Sequence, residues 1–170
     1  MSWIPRVLFE VPGIPKGQPR ARAFARNGMV RMYDPATAEG WKSCIAGEWK
    51  SKVAPAFVKL TGPVKIEVDF YFPRPKNHYR TGKHAGELKP GMPAFHTGTP
   101  DADNCLKAVM DCLTRLGAWV DDGQVMPSAM KYYATGREPG ATIRIFAWNE
   151  QVYQEPRMGE VKEQGKCPTI

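Results

Sequence analysis

The chain has few of the features that would place it in a membrane or on the secretory route. No apolar run approaches the roughly 18–20 residues that span a bilayer. The opening Met1-Ser2-Trp3-Ile4-Pro5-Arg6 lacks the basic-then-apolar layout of a secretory signal, so a cytoplasmic protein is expected. Cysteine is scarce: Cys44, Cys105, Cys112 and Cys167 are the four in 170 residues, and no spacing among them is C-x-x-C. That argues against a thiolate zinc site and for buried free thiols, as reducing cytosol allows. The three histidines, His78, His84 and His96, are spaced too widely and irregularly for a zinc motif and read as loop residues that could contact a polyanion. Acid is missing where base is dense. Between Lys16 and Arg31 there are five basic residues and no carboxylate, and between Pro73 and Pro100 five basic residues face only Glu87. These two stretches carry +5 and +4 of a net +7, leaving the rest of the chain at −2. Positive charge gathered in this way is the electrostatic footprint of a polyanion partner.

What is present fits one domain with a real core. Hydrophobic residues make up 42% of the chain, above the range of disordered sequences, and the length suits one domain better than two. Alternating Val7, Phe9 and Val11 predict a short strand over Arg6–Val11, stopped by the turn-rich Pro12-Gly13-Ile14-Pro15. The segment from Lys16 to Arg22 should be extended and mobile. A helix is predicted from about Ala36 to Val53, with Pro35 in its first turn. Val64–Phe72 is the clearest strand, with Val64, Ile66, Val68, Phe70 and Phe72 on one face and Lys65, Glu67, Asp69 and Tyr71 on the other. A long Gly-, Pro- and Lys-rich loop follows from Arg74 to Thr99, unusual in a compact domain unless it is functional or disordered.

Asp103 to Leu116 is the best helix, with Leu106, Val109, Met110, Leu113 and Leu116 in a helical stripe and Gly117 as its C-cap. Strands are expected at about Met130–Ala134 and Ala141–Trp148, and a polar tail from Glu150 to Ile170. The order points to a mixed α+β domain over residues 1–149, with helices packed on one sheet, basic loops at 12–34 and 73–100, and a flexible tail at 150–170.

Asp103, Lys107 and Asp111 recur at i, i+4 and i+8 and share one side of the helix, beside its apolar stripe. Asp101 falls at or near the N-cap, and the pair Asp121-Asp122 comes after the helix, where a reversal after Gly117 could return it to that side. Two or three carboxylates can hold a magnesium ion while leaving positions open for phosphate. A lysine one turn away can reach a phosphate oxygen or orient the attacking water. Taken singly, these residues could be a cap, a turn and an i, i+4 surface pair. Their conjunction between two basic loops points to phosphodiester chemistry, with Asp111, Asp121 and Asp122 all open as partners of the first two aspartates.

The run Thr99-Pro100-Asp101-Ala102-Asp103-Asn104-Cys105-Leu106-Lys107, continued by Asp111-Cys112-Leu113-Thr114 and by Trp119-Val120-Asp121-Asp122-Gly123-Gln124-Val125, closely resembles the core of RusA-type Holliday junction resolvases. These are crossover junction endodeoxyribonucleases, frequent in bacteriophages and prophages. The family pattern, D-x-D-N-x-x-K, then D-[AC]-L, then D-D-x-Q-V, is present in order, with Cys105 where an aliphatic residue is more usual. Phe9-Glu10-Val11-Pro12-Gly13, Lys16-Gly17-Gln18-Pro19-Arg20 and Phe72-Pro73-Arg74-Pro75-Lys76 resemble earlier segments of the phage-type branch.

The resemblance implies a homodimer acting in recombination and repair, with Asp101, Asp103 and Asp122 holding magnesium, or manganese in its place, and Lys107 assisting. It implies no organic cofactor and a four-way DNA junction as substrate. Lys16, Arg20, Arg22, Arg26, Arg74, Lys76, Arg80 and Lys83 are the expected phosphate contacts. Phe24, Tyr33, Tyr79 and Phe95 are candidates to stack on bases near the branch point. The residues alone leave three alternatives: a non-catalytic DNA-binding protein, a metal nuclease acting on other branched DNA, and a metal enzyme of another phosphate substrate, such as a glycosyltransferase with an Asp-x-Asp site.

Overall fold

Two prolines in the first strand, Pro5 and Pro12, and one in the fifth, Pro127, fix where those strands sit. Proline cannot donate to a ladder, so both belong at sheet edges. A computed structural model, which describes residues 2–18, 22–26, 29–33 and 38–149, has that arrangement. Its main sheet is ordered β1-β6-β4-β5, from β1 (Trp3–Pro12), β4 (Val64–Phe72), β5 (Val125–Tyr133) and β6 (Gly140–Trp148). The two proline-free strands, β4 and β6, are central. β1 and β4 run antiparallel to β6, whereas β5 runs parallel to β4. A parallel neighbour needs a crossover, and that crossover is the long 73–100 loop followed by α2 (Ala102–Arg115).

Helix α1 (Glu39–Glu48) continues through a π turn at Trp49–Val53 and a 3₁₀ turn at Ala54–Ala56, so the expected single helix to Val53 changes pitch at Trp49. A separate two-stranded ribbon, β2 (Arg22–Arg26) with β3 (Met29–Tyr33), stands within the stretch 12–34 expected to be a basic loop. The predicted helix start at Ala36 and Pro35 and the predicted tail, 150–170, lie outside the described residues.

Period-2 alternation in β4 buries Val64, Ile66, Val68, Phe70 and Phe72 on one face, and both helices pack there. Trp41 and Ile45 from α1 and Trp49 from its π turn meet Cys105, Ala108, Val109, Cys112 and Leu113 from α2 over Phe9, Val11, Ile143 and Ile145. Truncating a fully buried side chain here, such as Leu113, costs about 2–5 kcal/mol. Among the described residues no helix covers the opposite face, which carries ion pairs of Arg144 with Asp69 at 2.8 Å and Lys65 with Glu67 at 2.9 Å.

The end of α2 sets the position of the turn beyond it. Gly117 takes φ +80°, its N–H donates to the Thr114 carbonyl, and the Ala118 N–H donates to the Leu113 carbonyl, each at 3.0 Å. This left-handed C-terminal motif satisfies the last carbonyls and turns the chain back along the helix. Ala118 and Trp119 are thereby buried, and Leu60 anchors them through its N–H to the Ala118 carbonyl. No helix among the described residues is long and apolar enough to cross a membrane.

Candidate active site

The chain enters α2 through a cis Thr99–Pro100 bond and an extended Asp101 at the N-cap. Aspartate is favoured there because its carboxylate usually caps the first N–H groups. The Asp101 side chain makes no such bond. Asp103, in the first turn, and Lys107, one turn on, are both exposed, and the ion pair open to them at i, i+4 is not made. Among the described residues neither carboxylate has a hydrogen-bond or ion-pair partner. Two exposed acids and a lysine thus stand together, unneutralised, at the helix end whose dipole favours negative charge.

Two contacts that no sequence pattern predicts hold this helix start in place. Lys131 projects from the core-side register of β5, opposite Phe70, and its Nζ donates to the carbonyls of Gly98 at 2.5 Å and Pro100 at 2.8 Å. It ties the last residues of the loop to the sheet immediately before Asp101. From the other side the Gln18 N–H donates to the Asn104 carbonyl at 2.9 Å. Gly17 packs so closely that a Cβ would stand 3.1 Å from that of Asn104 and 3.2 Å from that of Pro100. The Gly17–Gln18 part of the Lys16–Arg22 segment, expected to be mobile, is therefore docked on the start of α2. Lys131 falls within the strand expected at Met130–Ala134, but no sequence signal marks its partners.

Asp121 and Asp122 take different parts. Asp121 Oδ1 accepts from the Gly123 N–H at 2.7 Å, and Gln124 Oε1 accepts from the Asp121 N–H at 3.2 Å, a capping box for the 3₁₀ turn Asp122–Gln124. Gln124 also donates to the carbonyls of Leu60 and Gly62. Asp122 turns toward α2, where its Oδ1 accepts from the Thr114 hydroxyl and from the Trp119 indole N–H, the latter at 3.0 Å. Thr114 is eleven residues beyond Asp103, close to the same side of the helix by its 100° step, but about 16 Å further along the axis. The reversal after Gly117 thus returns Asp122 to the expected side of α2, at its opposite end. Accordingly, among the described residues no three His, Cys, Asp or Glu side chains come close enough to hold one metal ion.

The basic residues divide by partner. Lys16, Lys76 and Lys83 are exposed and without hydrogen-bond or ion-pair partners among the described residues. Arg74 is fully engaged: it donates to Thr135 Oγ1 at 2.9 and 3.1 Å and to the Pro93 carbonyl at 3.0 Å, lies within 3.3 Å of His78 Nδ1, and covers the Tyr133 ring. Arg80 pairs with Glu87 at 3.0 Å, and Lys89 donates to the Asn77 carbonyl at 2.8 Å. The 73–100 loop is thereby an ordered, internally braced unit. Arg20 lies outside the described residues, and of Arg22 and Arg26, as of Phe24 and Tyr33, only the backbone is described, at the ends and within the β2–β3 ribbon.

Each histidine has its own local setting. His84 contacts Glu87, and His96 stacks on Phe72 with centroids 4.3 Å apart. Burial, with Lys131 nearby, lowers the His96 pKa. Cys105 and Cys112 are buried free thiols, and burial pushes Cys105 up to about 11, so it stays protonated and inert beside the aspartates. Cys44 is exposed, unlike the buried thiol expected there.

The mixed sheet thus carries an acid-and-lysine cluster at the start of α2, with the braced basic 73–100 loop leading into it. The chain matches the family model described as endodeoxyribonuclease RusA over residues 12–146. It is also 35% identical over 140 residues to the uncharacterized protein YqaN of Bacillus subtilis (strain 168), covering 82% of this chain and 94% of that protein. The chain belongs to the RusA endodeoxyribonuclease family.

Proposed function

We propose that the protein is a magnesium-dependent endonuclease that resolves four-way DNA junctions as a homodimer in the bacterial cytoplasm, during recombination and repair. The observation that carries this reading is the pair of exposed, unpartnered carboxylates, Asp101 and Asp103, one turn from Lys107 at the α2 start. Magnesium takes one or two carboxylates together with water and substrate phosphate, so this donor set fits it; manganese would serve in its place. When bound, the ion supplies an activated water and offsets the charge that builds on the phosphoryl oxygens. Lys107 is within reach of a phosphate held there, and its fixed positive charge stabilises that phosphate as it is attacked. Lys16, Arg20, Arg22, Arg26, Lys76, Arg80 and Lys83 are the residues that would hold flanking phosphates, without reading sequence. Arg74, engaged within its loop, supports that surface from beneath.

Asp122 is the third acidic residue, and its place at the far end of α2 bears on the dimer. A two-fold axis crossing α2 near its middle exchanges the helix ends. It would bring the partner's Asp122 beside Asp101 and Asp103, and Lys107 beside the partner's Asp111. Two such sites, related by symmetry, suit paired cuts in a junction that itself has two-fold symmetry. Asp103→Asn tests the chemistry. It should lower magnesium-dependent cleavage of a synthetic four-way junction by at least about a hundredfold while junction binding persists. Wild-type protein that binds the junction and cuts it with no divalent ion tested would leave only a DNA-binding role.

A further inference from the structure

On the face of the sheet opposite the helices, three rings from β4, β5 and the basic loop line up side by side. Tyr71 of β4 pairs with Tyr132 of β5, their rings stacked 21° from parallel with centroids 5.6 Å apart. Tyr132 in turn bridges to Phe95 of the basic loop, 5.3 Å away and tilted by 32°. Beyond Tyr71 the next strand offers Gly140, which has no side chain, and the Arg137 guanidinium lies there, 3.7 Å from the Tyr71 centroid. The row therefore has a cation at one end and a ring at the other that is 52% exposed. Met130, 45% exposed, flanks it on β5.

Its position relates it to the acidic cluster. The His96 N–H, one residue beyond Phe95, donates to the Lys131 carbonyl, and the Lys131 ammonium holds Gly98 and Pro100 just before Asp101. One edge strand thus presents the ring row on one side and the braced helix start on the other. The surroundings favour a nucleobase over a protein partner. The Arg144–Asp69 and Lys65–Glu67 ion pairs share this face with exposed Leu8 and Met126, so the deciding feature is the loop that supplies Phe95, whose net +4 is complementary to phosphates on either side of a base. A flat, backed ring accepts any base by stacking.

We propose that Phe95, supported by Tyr132 and Tyr71, is a stacking platform for an unpaired base of the branched DNA substrate. The proposal rests on the branched-DNA reading above. In the Asp103→Asn background, where cleavage is suppressed, Phe95→Leu and Phe95→Trp are compared on a four-way junction and on a linear duplex of the same arm sequence. Leucine keeps the apolar bulk without a π face. Phe95→Leu should weaken junction binding about tenfold and leave duplex binding unchanged. Phe95→Trp should bind the junction as Phe95 does, and its added indole fluorescence should be quenched by the junction but not by the duplex. Equal junction binding by Phe95→Leu, or equal losses on both DNAs, would overturn the platform while leaving junction binding by the Phe95 protein intact. A change confined to self-association would overturn it in favour of a protein contact. Failure of the Phe95 protein to prefer the junction would remove the branched-DNA reading and this proposal with it.

Discussion

The two ends of α2 are opposites. At its start Asp101 and Asp103 are exposed and unpartnered, in a segment braced only through backbone carbonyls by Lys131 and Gln18. At its end Asp122 is half-buried and fixed through one oxygen by Thr114 and Trp119, on a turn that Gln124 fastens to the Leu60–Gly62 segment ahead of β4. One end leaves its carboxylates open to a ligand, and the other holds its carboxylate in a set orientation. Acids treated so differently, with Asp103 and the Thr114 that holds Asp122 about 16 Å apart along α2, make sense if, as proposed, each end completes the other across two chains.

The contrast can be broken from the fixed end first. Trp119→Phe keeps most of a fully buried ring but removes the indole N–H from Asp122. Partners of this kind typically matter about 10–100-fold, so junction cleavage should fall by that range while binding and the fold persist. Cleavage kinetics alongside a thermal melt checks this, and cleavage unchanged within about twofold would mean that Asp122 needs no orienting. At the open end, Lys131→Met removes the ammonium from the Gly98 and Pro100 carbonyls. The magnesium concentration for half-maximal cleavage should rise about tenfold, the same order as for other residues that orient a ligand, with junction affinity unchanged. An equal loss in both quantities would make Lys131 a DNA contact instead.

The smallest effect concerns pH. His96 is held below its ordinary 6.5 by burial first and by Lys131 second, so the fold favours its neutral form. The stability it contributes is complete above its unfolded pKa and is lost as pH falls through the lowered folded value. Melting between pH 7 and pH 5 should drop more for wild type than for His96→Phe, which keeps a ring on Phe72 without a charge. Identical drops would remove His96 from the loop's support.

Much of this architecture was legible in the sequence because the signals were periodic. β4 matches its alternation residue for residue, α2 shifts by one residue at each end from Asp103–Leu116, and β6 adds only Gly140. The first half of β5 was not legible. Met126, Pro127 and Ser128 lie exposed at a sheet edge, where no buried face enforces alternation. The β2–β3 ribbon was masked by its charge, although Asn27-Gly28 is a hairpin dipeptide. In the site, the i, i+4 spacing of Asp103 and Lys107 was readable because both ride one helix. Lys131 was not, because its partners are carbonyls more than thirty residues away. The side of α2 to which Asp122 returns was readable from the reversal at Gly117; the end at which it arrives depends on the Trp119 anchor, which spacing does not encode.

The most direct test of the account is to mix two inactive chains. Asp103→Asn and Asp122→Asn proteins, each unable to cut a junction alone, are co-refolded in equal amounts and assayed for magnesium-dependent nicking. If the two ends of α2 complete one site across the dimer, half of the dimers are mixed and each regains one intact site. Nicking should then recover to about a quarter of the wild-type level. No recovery, with mixed dimers present in the sample, would contradict the account and return all three aspartates to a single chain.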